Sequence, residues 1–139
     1  MRSIKISDGY LVRCDIGDEV VATLVKFASD NKIHSGTIIG LGALRDPELG
    51  FYDIHKKVYI KRKFDGDYEL VGLTGNFALL GKDTIMHCHA AFSDTEFRVI
   101  GGHLFSAHVA VTGEFYIRPG GIEINRAPDS LTGLNLIKS

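Results

Sequence analysis

The chain has 139 residues, 45% of them hydrophobic and 24% charged, and its formal net charge is -1. That balance excludes a strongly basic nucleic-acid module and a highly acidic disordered tail, and a chain of this length buries enough surface to fold without a disulfide framework or a structural metal. Sixteen glycines against three prolines point to many tight turns.

In chain order, Tyr10-Leu11-Val12-Arg13-Cys14 reads as a short strand. Asp15-Ile16-Gly17-Asp18 reads as a turn in which Asp15 or Asp18 caps the next element. From Glu19 to Asn31, the residues Val20, Val21, Leu24, Phe27 and Ala28 recur on one face, which predicts a helix closed by Asp30-Asn31. Ser35 to Gly42 is continuous, Ile-rich and ends on glycine, the pattern of a buried strand. Leu49 to Tyr52 and Lys56 to Lys63 follow as strands, and Asp65-Gly66-Asp67 is a turn signal between Lys61–Phe64 and Tyr68–Val71. Leu70 to Leu79 is an apolar strand, Gly81-Lys82-Asp83 turns the chain, and Ile85 to Phe92 is the next strand before the polar loop Ser93 to Glu96. Phe97 to Ile100, Leu104 to Val111 and Glu114 to Arg118 continue the β pattern up to Pro119-Gly120-Gly121, after which Ile122-Glu123-Ile124 pairs back. One long helix near the N-terminus and about eight short strands predict an α+β fold on a mainly antiparallel sheet.

Nothing in the chain reads as a repeat, a linker, a run of about 18 apolar residues or a signal peptide, so one domain over residues 1–139 without a membrane span is expected. Cys14 and Cys88 are too few for a disulfide framework and suit buried thiols in a reducing cytoplasm.

The sharpest chemical feature is Met86-His87-Cys88-His89. On a strand, His87 and His89 share a face with attachment points roughly 7 Å apart, and Cys88 points the other way, toward the core. A hairpin loop centred on Thr95 places His87 opposite His103, with His89 diagonal to it on the same face; a bulge at Gly101-Gly102 would shift that register. Three neutral imidazoles suit Zn²⁺, with Fe²⁺, Ni²⁺ or Co²⁺ as alternatives, and leave a fourth position for water. The competing reading is three half-buried histidines with ordinary hydrogen-bond partners. His34, His55 and His108 lack such company. Glu114, after Thr112-Gly113, is either an acid–base group or a solvated strand residue, and Asn76 in Thr74-Gly75-Asn76 is either a turn residue, the favoured reading, or a site residue.

Gly40-Leu41-Gly42-Ala43-Leu44-Arg45 begins like a dinucleotide fingerprint but has Arg45 where the third glycine belongs, so tight backbone packing explains its glycines better. Lys56, Lys57, Lys61, Arg62 and Lys63 form the one basic concentration. On a strand these charges fall on both faces, which suits an exposed edge that resists aggregation; phosphate contact is the alternative, strengthened if an oligomer repeats the patch.

Taken in order, several short stretches resemble the PPC domain family, shared by plants and prokaryotes. They are Gly40-Leu41-Gly42-Ala43-Leu44, Tyr68-Glu69-Leu70 with Thr74-Gly75-Asn76, His87-Cys88-His89-Ala90, Gly101-Gly102-His103-Leu104, Thr112-Gly113-Glu114 and Leu131-Thr132-Gly133-Leu134. The resemblance implies an α+β fold assembled as a homotrimer, similar to the fold of acetolactate decarboxylase, a zinc enzyme with a histidine-based site. It also implies association with DNA, because plant members carry AT-hooks before this domain and act in transcription. No Arg-Gly-Arg-Pro hook occurs in this sequence, and Arg118-Pro119-Gly120 is not one. Two functions are therefore expected. The first is a DNA- or transcription-associated homotrimer with a three-histidine metal site. The second is a zinc-dependent lyase or decarboxylase acting on a small oxygenated substrate, with Glu114 as its acid–base candidate.

Overall fold

A computed structural model describes residues 1–138. Among them are one helix, α1 (Val20–Asp30), and nine strands: β1 (Arg2–Ile6), β2 (Gly9–Cys14), β3 (Gly36–Asp53), β4 (Val58–Lys63), β5 (Asp67–Leu80), β6 (Asp83–Ser93), β7 (Val99–Pro119), β8 (Asn125–Pro128) and β9 (Asn135–Ile137). The fold is the expected α+β arrangement on a mainly antiparallel sheet. Four strands close on themselves: β3 pairs with β5, β5 with β6, β6 with β7, and β7 again with β3, all antiparallel. The β1–β2 hairpin extends this ring from the end of β7, and β4 extends it from the far half of β3.

Alternation fills the ring. Cys88, Ala90 and Phe92 of β6, Leu73 and Phe77 of β5, and Phe115 and Ile117 of β7 are all buried. The helix adds Val20, Leu24, Phe27 and Ala28 to the same core, with Tyr10 edge-on to Phe27 at 5.2 Å between ring centroids. Its cap differs from the expected Asp15 or Asp18: Glu19 is the N-cap, its carboxylate accepting from the backbone N–H groups of Val21 (3.1 Å) and Ala22 (2.5 Å). It also accepts from Ala107 N–H of β7 at 3.2 Å, so one side chain starts the helix and ties it to the sheet.

The strands are longer than the sequence pattern suggested. Ser35–Gly42 and Leu49–Tyr52 are two halves of β3, which pass through an irregularity around Asp46-Pro47; β5 pairs with the first half and β4 with the second. The Asp65-Gly66-Asp67 turn therefore joins two strands that follow one another along the same edge of β3 and does not close a hairpin. Nor is the first half of β3 buried on both sides: Ile38 is 1% exposed, whereas Ile39 and Leu41 are 58% and 57% exposed. The three segments expected between Phe97 and Arg118 merge into β7, with Phe97 left outside it. Ile122–Ile124 forms no strand; the chain instead continues into β8, which pairs in parallel with β5 through Leu79–Asn125 and Leu80–Arg126 and then in antiparallel with β9. The strand β1 was not expected: Ile4 and Ile6 alternate with Ser3 and Lys5 in it, but over only five residues, most of them exposed.

Gly40 and Gly42 sit mid-strand at a β-bulge, with no helix after them, as a packing role requires. Gly42 has φ +152°, and a Cβ there would lie 2.2 Å from Thr112 O and 2.9 Å from Gly113 Cα. Both obstacles are backbone of the neighbouring strand and cannot turn aside. Gly42→Ala is expected to lower the unfolding free energy by about 2–3 kcal/mol through overpacking and strain. Lys82→Ala in the exposed β5–β6 turn should change it by less than about 0.5 kcal/mol. Urea denaturation of the two variants measures the contrast.

Candidate metal centre

The β5–β6 hairpin turns on Gly81-Lys82 and sets Thr74 opposite His89 and Asn76 opposite His87. Odd-numbered residues of this part of β6 face outward and even-numbered ones inward, so Cys88 is buried, as its position opposite the histidines predicted. Burial pushes the Cys88 thiol up to about 12, and Cys14 likewise. Gly75 permits this packing: a Cβ there would lie 2.5 Å from His87 O and 2.6 Å from Cys88 Cβ.

The β6–β7 register differs from the expected one by two residues. His89, not His87, stands directly opposite His103, and Ala90 and Ala91 face Gly102 and Gly101 with no bulge between them. A two-residue shift preserves the face, so all three histidines still meet. One ring nitrogen from each of His87, His89 and His103 lies within 4.8 Å of the others. The Nε2 atoms of His87 and His89 are 3.3 Å apart, and the three ring centroids are separated by 5.2 to 5.6 Å.

The surroundings add residues that the sequence had not singled out for this role. Gly50 of β3 lies opposite His103 and leaves room for Phe105 and Tyr59, whose rings lie 4.7 and 5.1 Å from the His103 ring. Asn76 is in mid-strand and not in a turn; its side-chain oxygen accepts from Arg126 Nη2 at 2.9 Å. The same Nη2 is 3.4 Å from His87 Nδ1, and Arg126 Nη1 donates to Asn135 O at 3.0 Å. Arg126 reaches the histidines because β8 pairs beside Leu79 and Leu80. That parallel contact spans more than forty residues of sequence and has no local signature. The hairpin carrying it is anchored through Leu131-Thr132-Gly133-Leu134: Tyr52 Oη donates to Thr132 O at 2.6 Å, Lys57 Nζ to Ser130 O at 2.8 Å, and Asp129 accepts from Thr132 N–H at 2.7 Å.

Glu114 is not among these residues. It sits eleven positions beyond His103 on β7, opposite Leu41 and Arg13, and accepts from Thr112 Oγ1 at 3.3 Å. The basic residues are dispersed. Lys56 and Lys57 precede β4, Lys61 lies 3.8 Å from Glu48 and 3.7 Å over the Phe105 ring, and Arg62 lies against Phe64. Lys63 ends the strand, which pairs only with β3 and so forms the expected edge. His55 and His108 stand apart, and His34 Nδ1 is buried without a partner in a separate cavity.

Residues 1–119 match the profile of the plants and prokaryotes conserved (PCC) domain. The chain belongs to that family. Among solved structures, a Bacteroides thetaiotaomicron protein with a provisional DNA-binding label is 29% identical with a TM-score of 0.95, over 99% of this chain and 96% of that one. A plant- and prokaryote-conserved protein from Pyrococcus horikoshii is 30% identical with a TM-score of 0.88, over 99% and 94% of the two chains. A metal-containing protein from Archaeoglobus fulgidus is 33% identical with a TM-score of 0.87, over 97% and 96%. No curated protein matches the sequence. In this PCC domain, the residues that would hold a metal, His87, His89 and His103, all fall inside the matched span, whereas Arg126 falls beyond it.

Desolvation lowers the His103 imidazole to about 4, with His87, His89 and Lys61 adding repulsion. His87 is also lowered, by burial first and then by Arg126 and His89. His103 therefore stays neutral, with its lone pair available, well below the ordinary histidine range, and His87 is shifted in the same direction. The folded state takes up fewer protons here than the unfolded chain, so stability falls as pH drops through the unfolded value near 6.5 and levels off below about 4. Thermal melts of the metal-free protein should show this loss between about pH 6.5 and 4, and His103→Asn should flatten it.

Proposed function

We propose that this PCC-domain protein is a cytoplasmic homotrimer, one domain per chain. In it His87, His89 and His103 of each chain hold a divalent transition ion, zinc foremost, leaving a position for a small oxygenated ligand. The convergence of three imidazole nitrogens within 4.8 Å carries this reading. The donor set fits: burial favours the neutral form of two of the rings, and His103 Nδ1 is buried with no protein partner, a polar atom that a bound group would satisfy. The description of the Archaeoglobus relative as metal-containing supports it. Trimer assembly is supported by the exposed apolar residues Ile39, Leu41, Val71 and Val111, which neighbouring copies would cover. The buried, unpaired Cys14 and Cys88 suit a reducing cytoplasm.

A zinc ion so held supplies Lewis acidity toward a carbonyl or acidifies a bound water, which makes a lyase or decarboxylase the enzymatic form of this reading. Glu114 shares the outer face of the sheet with Leu41, and it enters such chemistry only from a neighbouring copy of the chain.

Metal analysis of the purified protein should find about one zinc per chain. Zinc at a hundredfold excess over its Kd should stabilise the fold by about 2.7 kcal/mol. His103→Ala and His89→Ala should lose both effects. A wild-type protein with no bound transition metal and an unchanged melting temperature would overturn the reading.

The second reading is DNA association, favoured by the label of the Bacteroides relative and by the exposed edge Lys61-Arg62-Lys63. One copy of that edge is small, so the reading depends on a trimer repeating it. Light scattering should give a mass about three times the 15.2 kDa of one chain. Gel shifts at about 10 μM protein should then show duplex binding at low salt that weakens at physiological salt and in Arg62→Glu/Lys63→Glu. A monomer, or no shift at either salt, removes this reading.

A further inference from the structure

Arg126 is half-buried, and no carboxylate among the described residues neutralises its charge. Among the described residues it makes no ion pair with an Asp or Glu. Its acceptors are neutral: Asn135 O, Asn76 Oδ1 and, at longer range, His87 Nδ1. Its Nε is buried with no partner at all. A guanidinium withdrawn from water without a counter-charge is costly, and a built site for an anion is one physical reason for a fold to keep one.

The guanidinium lines a cavity of about 190 Å³ between the ring of strands and the C-terminal hairpin. His87, His103 and Arg126 form its polar end, and Ile85, Leu134 and Leu136 form an apolar wall. At about 30 Å³ per water molecule, the space holds about six non-hydrogen atoms.

We propose that this cavity receives a small organic carboxylate, its charged end toward Arg126 and the histidines and its short apolar tail against Ile85, Leu134 and Leu136. The proposal rests on the metal-centre reading for the group that meets the ligand beside Arg126. Arg126 is the one uncommitted side-chain cation at the cavity, so beside the metal it is the apolar wall, more than the charge count, that favours an organic carboxylate over phosphate. The other nearby cation, Lys61, is engaged by Glu48 Oε1 at 3.8 Å and by the Phe105 ring at 3.7 Å. The arginine fork suits a carboxylate, and the apolar wall selects for a tail that an inorganic oxyanion lacks. The larger cavity beside Ser35, about 440 Å³, offers no such convergence: its one orphaned group is His34 Nδ1.

The test is calorimetric titration of the full chain, with and without zinc, using butyrate, the neutral isostere butyramide and inorganic phosphate. Zinc content is measured on the same samples. Butyrate should bind the zinc-loaded protein at least tenfold more tightly than butyramide or phosphate. Arg126→Gln should lose that preference at least tenfold while retaining zinc, with Arg126→Lys intermediate. Because Arg126 also holds Asn135, a second variant, Leu136→Trp, fills the apolar wall without touching a charge. It too should weaken butyrate at least tenfold with zinc retained. Equal binding of butyrate and butyramide, or an unchanged butyrate affinity in zinc-retaining Arg126→Gln or Leu136→Trp, overturns the carboxylate proposal alone. Failure of the wild-type protein to take up zinc overturns the metal centre and this proposal with it.

Discussion

The pairing of β6 on both of its edges is the constraint from which the site follows. One edge fixes His89 against Thr74 and His87 against Asn76, and the other fixes His89 against His103. A slip by one residue on either side would turn Cys88, Ala90 and Phe92 out of the core and the histidines into it, at a cost of several buried side chains. The apolar face of β6 thus holds the geometry of its polar face. No hydrogen bond among the imidazoles is needed to keep them together. Gly75 and Gly50 complete the arrangement, one by letting β5 approach Cys88 and the other by leaving space for the rings beside His103.

That constraint explains which parts of the site were legible in the sequence. Alternation alone tells which residues share a face, so the grouping of His87, His89 and His103 and the inward turn of Cys88 could be read without a structure. The exact register could not: pairing about Thr95 and the observed pairing differ by two residues, and both satisfy the same hydrophobic pattern. Strand lengths were hidden for a related reason. Pro47 and the Gly42 and Gly113 positions look like chain breaks, yet β3 and β7 continue through them as bulges and close approaches while their alternation is locally reset. Arg126 was the least legible, since the short parallel contact of β8 with β5 leaves no periodic trace, and for Asn76 the pattern favoured a turn over the site role.

The closed ring also divides the molecule's surfaces by function. Its inside is filled with Phe77, Phe92, Phe115 and the aliphatic residues around them. Its outside carries the histidines at one end of β7 and Glu114 far along the same strand. A long strand can therefore serve two distant regions with one continuous backbone. Changes near Glu114 bear on the exposed face shared with Leu41, and changes near His103 bear on the rings of Tyr59 and Phe105.

Electrostatics link the metal and the anion at this centre more closely than either reading does alone. The net charge of -1 belongs to the whole chain and says nothing of the local field. Beside the histidine rings stand two positive charges, and each adds to the larger effect of burial: Arg126 in lowering His87 and Lys61 in lowering His103. Three neutral imidazoles bring no negative charge to a divalent ion, so an ion bound there would add its own charge to that of Arg126 in a half-buried place. An anionic fourth ligand lowers that cost for the ion and for the guanidinium at once. Arg126, which adds to burial in lowering His87, would thus also bias the open position of a bound ion toward an anion over a neutral molecule.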